Sequence, residues 1–236
     1  MENGRLSDPG PISRTQWAAF SALAVVSIAL AFFAGRSHPE IFAPFFGAFP
    51  PVAAIALAAL TGAAALWSLD RARTAIPLLA ARGQHFLVAA LFAVPFALVA
   101  IGIDLTLGFP SDINVPLPGA LAFYPAMAVF VECALHAAPF ALILLAGQRL
   151  FGRLRGAIVA AIVLPSLIEP VLQAGYAGGT NAGLLASLVA LHVFAISVAQ
   201  LTLFWRYGFW AMLTFRLAYY ALWHIAWGAA RLDLLF

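Results

Sequence analysis

The sequence contains no lysine and few charged residues of any kind. Charged residues make up 9% of its 236 positions, whereas soluble domains have about 25%. Hydrophobic residues make up 64%, and the mean hydropathy is +1.00. This composition excludes a water-soluble globule and predicts an integral membrane protein.

Cysteine is almost absent as well. The single Cys133 lies in an apolar run, which excludes an intramolecular disulfide framework and a CxxC metal or redox site. The chain also lacks GxGxxG and GxxxxGK[ST], the common nucleotide-binding signatures. Its twelve arginines lie in short clusters between apolar runs, a pattern of membrane topology that argues against nucleic acid as a partner.

Seven segments are long and apolar enough to cross a bilayer, which takes about 20 residues. They predict an all-α bundle forming one integral membrane domain over 1–236, with a polar tail at 1–16. Residues 17–119 hold three spans, and residues 120–236 form a four-span core. The predicted spans are Trp17 to Gly35, Pro51 to Leu69, His85 to Ile103, Ala120 to Gly147, Ala157 to Gln173, Gly183 to Phe204 and Trp210 to Ala230.

The arginines alternate between the two sides of this predicted topology. Nine lie in the N-terminal tail and in the second, fourth and sixth loops, whereas the other loops and the C-terminus hold Arg36 and Arg231. By the positive-inside rule this distribution predicts a cytoplasmic N-terminus and an outer C-terminus. The first span lacks a cleavage motif and is expected to be retained. We expect a multi-pass protein of a bacterial-type inner membrane, surrounded by lipid.

Ionisable residues within the spans concentrate in the C-terminal half. Inserting a charged side chain near the bilayer centre costs at least about 2.5 to 3.5 kcal/mol on insertion scales. Each ionisable residue within a span therefore requires a functional or structural explanation. We therefore expect the functional site in the last four spans. The residues concerned are Glu132, His136, Glu169, His192, Arg216 and His224.

Spacing suggests which of these side chains act together. Glu132 and His136 are four residues apart and share a helix face, and Tyr220, His224 and Gly228 form another such stripe. Together with His192, these residues are predicted at central to outer depth on three spans. They are the candidate site.

The remaining polar residues are predicted to be structural. Glu169 precedes Pro170, which favours a helix end at the membrane interface. Arg216 lies one or two turns from the cytoplasmic end, where its long side chain can snorkel to the headgroups. Cys133 is expected to be a small buried hydrophobe.

A glutamate and imidazoles on different helices suit hydrolysis. Glu132, assisted by a histidine, would be the general base on a water that attacks a peptide carbonyl, and a second histidine would donate to the developing oxyanion. Carboxylate and imidazole can also bind zinc, but HExxH is absent. We predict neither a metal nor another cofactor.

The order of these residues resembles the CPBP family, the CAAX-type intramembrane glutamic proteases. The family pattern is EExxxR, then FxxxH, then HxxxN or HxxxD. The similar segments here are VECALH around Glu132, LVALH ending at His192 and HIAWG starting at His224. The resemblance covers about the last half of the chain. It implies that Glu132 activates water with His192 as its partner, and that His224 serves the oxyanion hole.

The sequence departs from the family pattern at four positions, counting His136. Val131 precedes Glu132, so one acid replaces two if His136 stands at the family's Arg position. Leu188 replaces the Phe, and Gly228 replaces the Asn or Asp of the oxyanion hole. His224 would then act alone there, or with Tyr220 as a substitute.

The sequence leaves several functions open. The leading prediction is an intramembrane endopeptidase acting on a membrane-embedded or membrane-anchored protein. The runner-up is a non-catalytic subunit or scaffold of a larger membrane complex, which Gly228 favours. An exosortase-like transpeptidase using Cys133 and a proton-coupled transporter are weaker alternatives, because Cys133 adjoins Glu132 and no internal repeat is visible.

Overall fold

The structure is a computed structural model of the protein, and it describes residues 11–80, 82–152, 154–173 and 182–236. Within these ranges the chain is helical and contains no strand. The first ten residues of the predicted tail, and most of the connection at 174–182 between the fifth and sixth predicted spans, lie outside the described residues. The predicted all-α fold is confirmed.

Among the described residues of the first half, the chain forms three long helices and one short helix, with a 3₁₀ turn at Pro39–Ile41. The helices are α1 (Arg14–Ser37), α2 (Ala43–Phe46), α3 (Pro51–Arg71) and α4 (Gly83–Leu107).

The second half is more broken. Two segments, Val131–Ala137 and Tyr220–Trp227, are π-helical, and Pro165–Leu167 is a 3₁₀ turn. The α-helices are α5 (Ala120–Phe130), α6 (Ala138–Phe151), α7 (Leu154–Val163), α8 (Ile168–Gln173), α9 (Ala182–Tyr207), α10 (Phe209–Tyr219) and α11 (Gly228–Leu235).

Six helices among the described residues are long and apolar enough to cross a membrane. Each coincides with one of the first six predicted spans, so the helices have the composition of a multi-pass membrane protein. The seventh predicted span is helical, but it does not reach the same apolarity because it carries Arg216 and His224. The six are Arg14–Ser37, Pro51–Arg71, Gly83–Leu107, Ala120–Leu150, Arg155–Gln173 and Gly183–Tyr207.

Small residues let these helices approach closely. Ala89, Ala93, Ala97 and Ala100 form a buried column on α4, which packs along α10. Gly62 of α3 lies against Cys133, which is fully buried, as expected for a small hydrophobe. Such surfaces are typical of helix association in membranes, where backbones come close and dispersion forces dominate.

Hydrogen bonds gather several chain segments at one end of the bundle. The backbone N–H of Ile12 donates to Asp70 Oδ1 at 3.0 Å, and the Gln16 side-chain amide donates to the Leu79 carbonyl at 2.9 Å. The N–H of Phe209 donates to the Leu78 carbonyl at 2.8 Å. The start of α1, the end of α3 and the start of α10 therefore lie together.

Candidate functional site

Both π-helical segments carry residues of the predicted site. Val131–Ala137 contains Glu132 and His136, and Tyr220–Trp227 contains Tyr220 and His224. Pro139 lies two residues after the end of the first segment and favours a wider turn there, because a proline has no N–H for the carbonyl four residues earlier and its ring crowds that carbonyl. Single π turns inside α-helices often occur at functional sites, because the wider turn changes where side chains point.

Glu132 lies at the centre of a buried polar cluster. Its side chain and that of His136 have no exposed surface. Glu132 Oε2 is 2.9 Å from His136 Nδ1, which confirms that the two side chains share a face. Glu132 Oε1 accepts hydrogen bonds from Arg216 Nε at 2.7 Å and from Gln200 Nε2.

Arg216 joins this carboxylate to a second one. Its two terminal nitrogens donate to Glu169 Oε1 at 2.9 Å and Oε2 at 2.8 Å, a bidentate pair that also fixes the plane of the guanidinium. Ser197 Oγ lies 3.3 Å from Glu169 Oε2. We call Glu132, His136, Glu169 and Arg216 the acid–arginine centre.

One prediction is therefore wrong. Arg216 does not snorkel to the headgroups, because it is 3% exposed and bonds two carboxylates inside the bundle. Glu169 lies at the start of a short helix, α8, as predicted, and its side chain is buried. The attraction between the arginine and the two carboxylates offsets the free-energy cost of removing these charges from water. The sequence of a single span does not reveal such a partner on another helix.

The other two predicted histidines lie apart from Glu132. His192 Nε2 is 3.4 Å from the Tyr219 hydroxyl, and His224 Nδ1 is 2.7 Å from Asn114 Oδ1. Within the described ranges neither histidine hydrogen-bonds to Glu132. Of the predicted catalytic residues, Glu132 and His136 therefore form a close pair. His192 and His224 each contact a different residue, Tyr219 and Asn114 respectively.

Tyr220 connects the acid–arginine centre to His224. Its hydroxyl is 3.5 Å from an Arg216 terminal nitrogen, and its ring centroid is 5.1 Å from that of His224. On its other side His224 stacks on Tyr124 at 4.6 Å. A continuous line of polar and aromatic side chains therefore runs from Glu132 to Asn114.

Gly228 makes room for Asn114. A Cβ at position 228 would lie 3.1 Å from both Cβ and Nδ2 of Asn114, closer than most real contacts. The side-chain amide beside His224 therefore comes from the connection between α4 and α5. Asn114 Nδ2 is buried and has no hydrogen-bond partner among the residues the structure describes. Gly228 stands where the CPBP pattern has Asn or Asp, and this was the signal in the sequence that an amide could come from another segment.

A second buried ion pair holds this connection in place. Arg231 donates to both carboxylate oxygens of Asp104, at 2.7 and 2.8 Å, and to the carbonyls of Phe109 and Pro110. Trp227 Nε1 donates to the same carboxylate at 2.7 Å. Sequence reasoning missed this cluster, because Asp104 and Arg231 lie just beyond the ends of two predicted spans.

The chemistry open to the acid–arginine centre follows from its hydrogen bonds. A general base must lie within hydrogen-bond reach of the water it activates. Both Glu132 oxygens are occupied by neighbouring side chains and have no exposed surface. In the part of the chain that the structure describes, no three His, Cys, Asp or Glu side chains are arranged to hold a metal ion.

Comparisons with known proteins add no relative. The chain matches no protein-family model, no curated protein and no solved structure. The similarity to the CPBP family therefore depends on the short motifs around Glu132, His192 and His224.

Proposed function

We propose that the protein is a non-catalytic multi-pass membrane subunit whose acid–arginine centre holds its helices together. The observation that carries this proposal is the position of Arg216, which occupies oxygens of both Glu132 and Glu169. A carboxylate that already accepts hydrogen bonds from a guanidinium has little capacity to activate water. Val131, at the position of the family's first acid, supports the same conclusion.

The separation of the histidines also supports this proposal. An endopeptidase would need Glu132, His192 and His224 around one reacting carbonyl, but the two histidines bond Tyr219 and Asn114 instead. Buried polar pairs between helices are a common structural device in membranes. The partner would be another membrane-embedded protein, to which the subunit contributes a rigid bundle.

We further propose seven spans, a cytoplasmic N-terminus and an outer C-terminus in a bacterial-type inner membrane. The alternation of arginines and the helical seventh segment support this topology. Thiol labelling tests it, because Cys133 is fully buried and gives no background. A cysteine at position 236 should react with an impermeant maleimide in intact cells, and one at position 2 should not. Labelling of both or neither would contradict an odd number of spans.

An intramembrane endopeptidase is the second candidate, and a specific observation favours it. Glu132 and His136 form a buried hydrogen bond on a π-helical turn. Beside them, Gln200 Oε1 is buried without a hydrogen-bond partner among the described residues, and His136 Nε2 lies 3.6 Å from Glu169 Oε2, beyond hydrogen-bond range. A buried polar atom that lacks a hydrogen bond is costly, so a bound group that pairs with either one would be stabilised there.

One experiment separates the two functions. Cells lacking the gene are complemented with wild type, with Glu132→Gln, or with the triple variant Glu132→Gln, Glu169→Gln, Arg216→Met. New N-termini in membrane proteins are mapped by mass spectrometry, and detergent-solubilised complexes are sized on native gels. We expect the same N-termini in all strains, and a complex that persists in the charge-free triple variant.

The contrary result is equally clear. Cleavage products that appear with wild type and vanish with Glu132→Gln, at equal abundance of folded protein, would overturn the non-catalytic proposal. Replacing all three charged groups together keeps this test fair, because no charge is left buried without a partner.

A further inference from the structure

A groove of about 520 Å³ lies between the last turns of α3 and α6, away from the acid–arginine centre. The helix α3 is the candidate span Pro51–Arg71, and α6 forms the second part of the candidate span Ala120–Leu150. The groove lies at the C-terminal ends of both spans, where the chain leaves the bilayer. Its walls are formed by Trp67, Ser68, Arg71, Ala72, Leu145, Gln148 and Arg149.

The groove is positively charged. Arg71 and Arg149 are both exposed, and among the described residues neither forms a salt bridge. The nearby carboxylate of Asp70 accepts a hydrogen bond from the N–H of Ile12. Arg71 lies 5.3 Å over the Trp67 ring, which restricts the guanidinium and reduces the entropy it would lose on binding.

One wall of the groove is apolar. Trp67 is 54% exposed, and Leu145 also lines the groove. Aromatic side chains at this depth are typical of the headgroup region, where their rings contact the upper acyl chain. A fitting ligand therefore carries a negative head and an apolar tail, whereas a free phosphate would use the arginines alone.

We propose that this groove binds the headgroup of an anionic phospholipid. The two guanidinium groups take the phosphate oxygens, since their planar forks match that geometry, and the Gln148 amide can donate a further hydrogen bond. The acyl chains run down the bundle past Leu145 and Trp67. Basic pockets between spanning helices at the arginine-rich face are where anionic headgroups bind. This proposal does not depend on the proposed function.

Native mass spectrometry tests it on the full chain. The protein is released from nanodiscs of phosphatidylcholine and phosphatidylglycerol, and retained lipid is counted for wild type and for Arg71→Gln with Arg149→Gln. We expect wild type to retain phosphatidylglycerol selectively. The double variant should lose about thirty-fold in relative affinity, since each arginine near the surface contributes about fivefold.

Arg206→Gln is the matched control. Arg206 is exposed, lies 5.8 Å over the Trp205 ring and belongs to the last turn of α9, but it does not line the groove. This variant should retain phosphatidylglycerol as wild type does. A Trp67→Ala variant removes only the apolar wall and should weaken lipid binding severalfold while both arginines remain.

Three results would overturn the proposal. Equal retention of phosphatidylcholine and phosphatidylglycerol by wild type would exclude a selective site. An equal loss in Arg206→Gln and in the double variant would show general surface charge. Displacement of the lipid by inorganic phosphate at equal concentration, with no effect of Trp67→Ala, would identify free phosphate as the ligand.

Discussion

Arg216 and Glu169 face each other through two parallel hydrogen bonds, of 2.9 and 2.8 Å, between segments 47 residues apart in the chain. The third nitrogen of the same guanidinium, Nε, donates a hydrogen bond to Glu132 Oε1. One cation thus binds two carboxylates from different helices. The stability of the C-terminal half should depend on this arginine more than on any single apolar contact.

Replacing Arg216 alone should be severely destabilising. Arg216→Met leaves Glu132 and Glu169 buried without their cation, which typically costs about 3–5 kcal/mol. The melting temperature in detergent should fall sharply. Adding Glu132→Gln and Glu169→Gln should restore most of it, because the carboxylate charges disappear with the cation. A triple variant no more stable than the single one would contradict this account.

Gly62 should not tolerate a larger side chain. A Cβ there would lie 2.5 Å from Cys133 Sγ and 2.7 Å from Cys133 Cβ, so Gly62→Ala should cost about 1–3 kcal/mol by overpacking. Cys133→Gly in the same chain should recover part of that loss. Gly102→Ala is the control, since a Cβ there meets no atom within 4 Å, and its melting temperature should not fall.

Gly228→Ala should move Asn114. The added methyl group would press on the Asn114 side chain at 3.1 Å, so this side chain must shift by a few tenths of an ångström and its 2.7 Å hydrogen bond to His224 should weaken. Hydrogen exchange of residues 109–119 should rise in this variant. Asn114→Gly combined with Gly228→Ala should relieve the crowding and recover the melting temperature. Unchanged exchange in Gly228→Ala would show that Asn114 is not held by this contact.

Arg231→Met should release the connection between α4 and α5. It removes four hydrogen bonds, two to Asp104 and two to the carbonyls of Phe109 and Pro110, and leaves a buried carboxylate. We expect a loss of about 3–5 kcal/mol and faster proteolysis between residues 108 and 119. The control is Arg36→Met, since Arg36 is exposed, and it should behave as wild type.

The sequence predicts what depends on neighbours along one helix. Apolar runs located the first six spans because about 20 such residues are needed to cross the bilayer. The contact between Glu132 and His136 followed from their four-residue spacing. Seven spans and the cytoplasmic N-terminus stay predictions.

Contacts between distant segments could not be predicted in this way. Glu169 and Arg216 each looked like an isolated residue near a span end, and only the packing of their helices joins them. Asn114 lies 110 positions before His224, in a segment with no helical period. The residue spacing within a helix indicates which of its faces is polar. It does not indicate which other helix will pack against that face.

The two π-helical segments have a consequence for chain length. Each wide turn holds one residue more than an α-helical turn, so it acts as a one-residue insertion that the fold has absorbed. Deleting Ala134 would close the first turn into regular α-helix, and α6 would keep the face it turns toward its neighbours because the wide turn alone held the extra residue. Within the turn, His136 would lie three residues after Glu132 instead of four. The extra residue therefore sets how Glu132 and His136 face Arg216 and Glu169, and the packing of α6 does not depend on it.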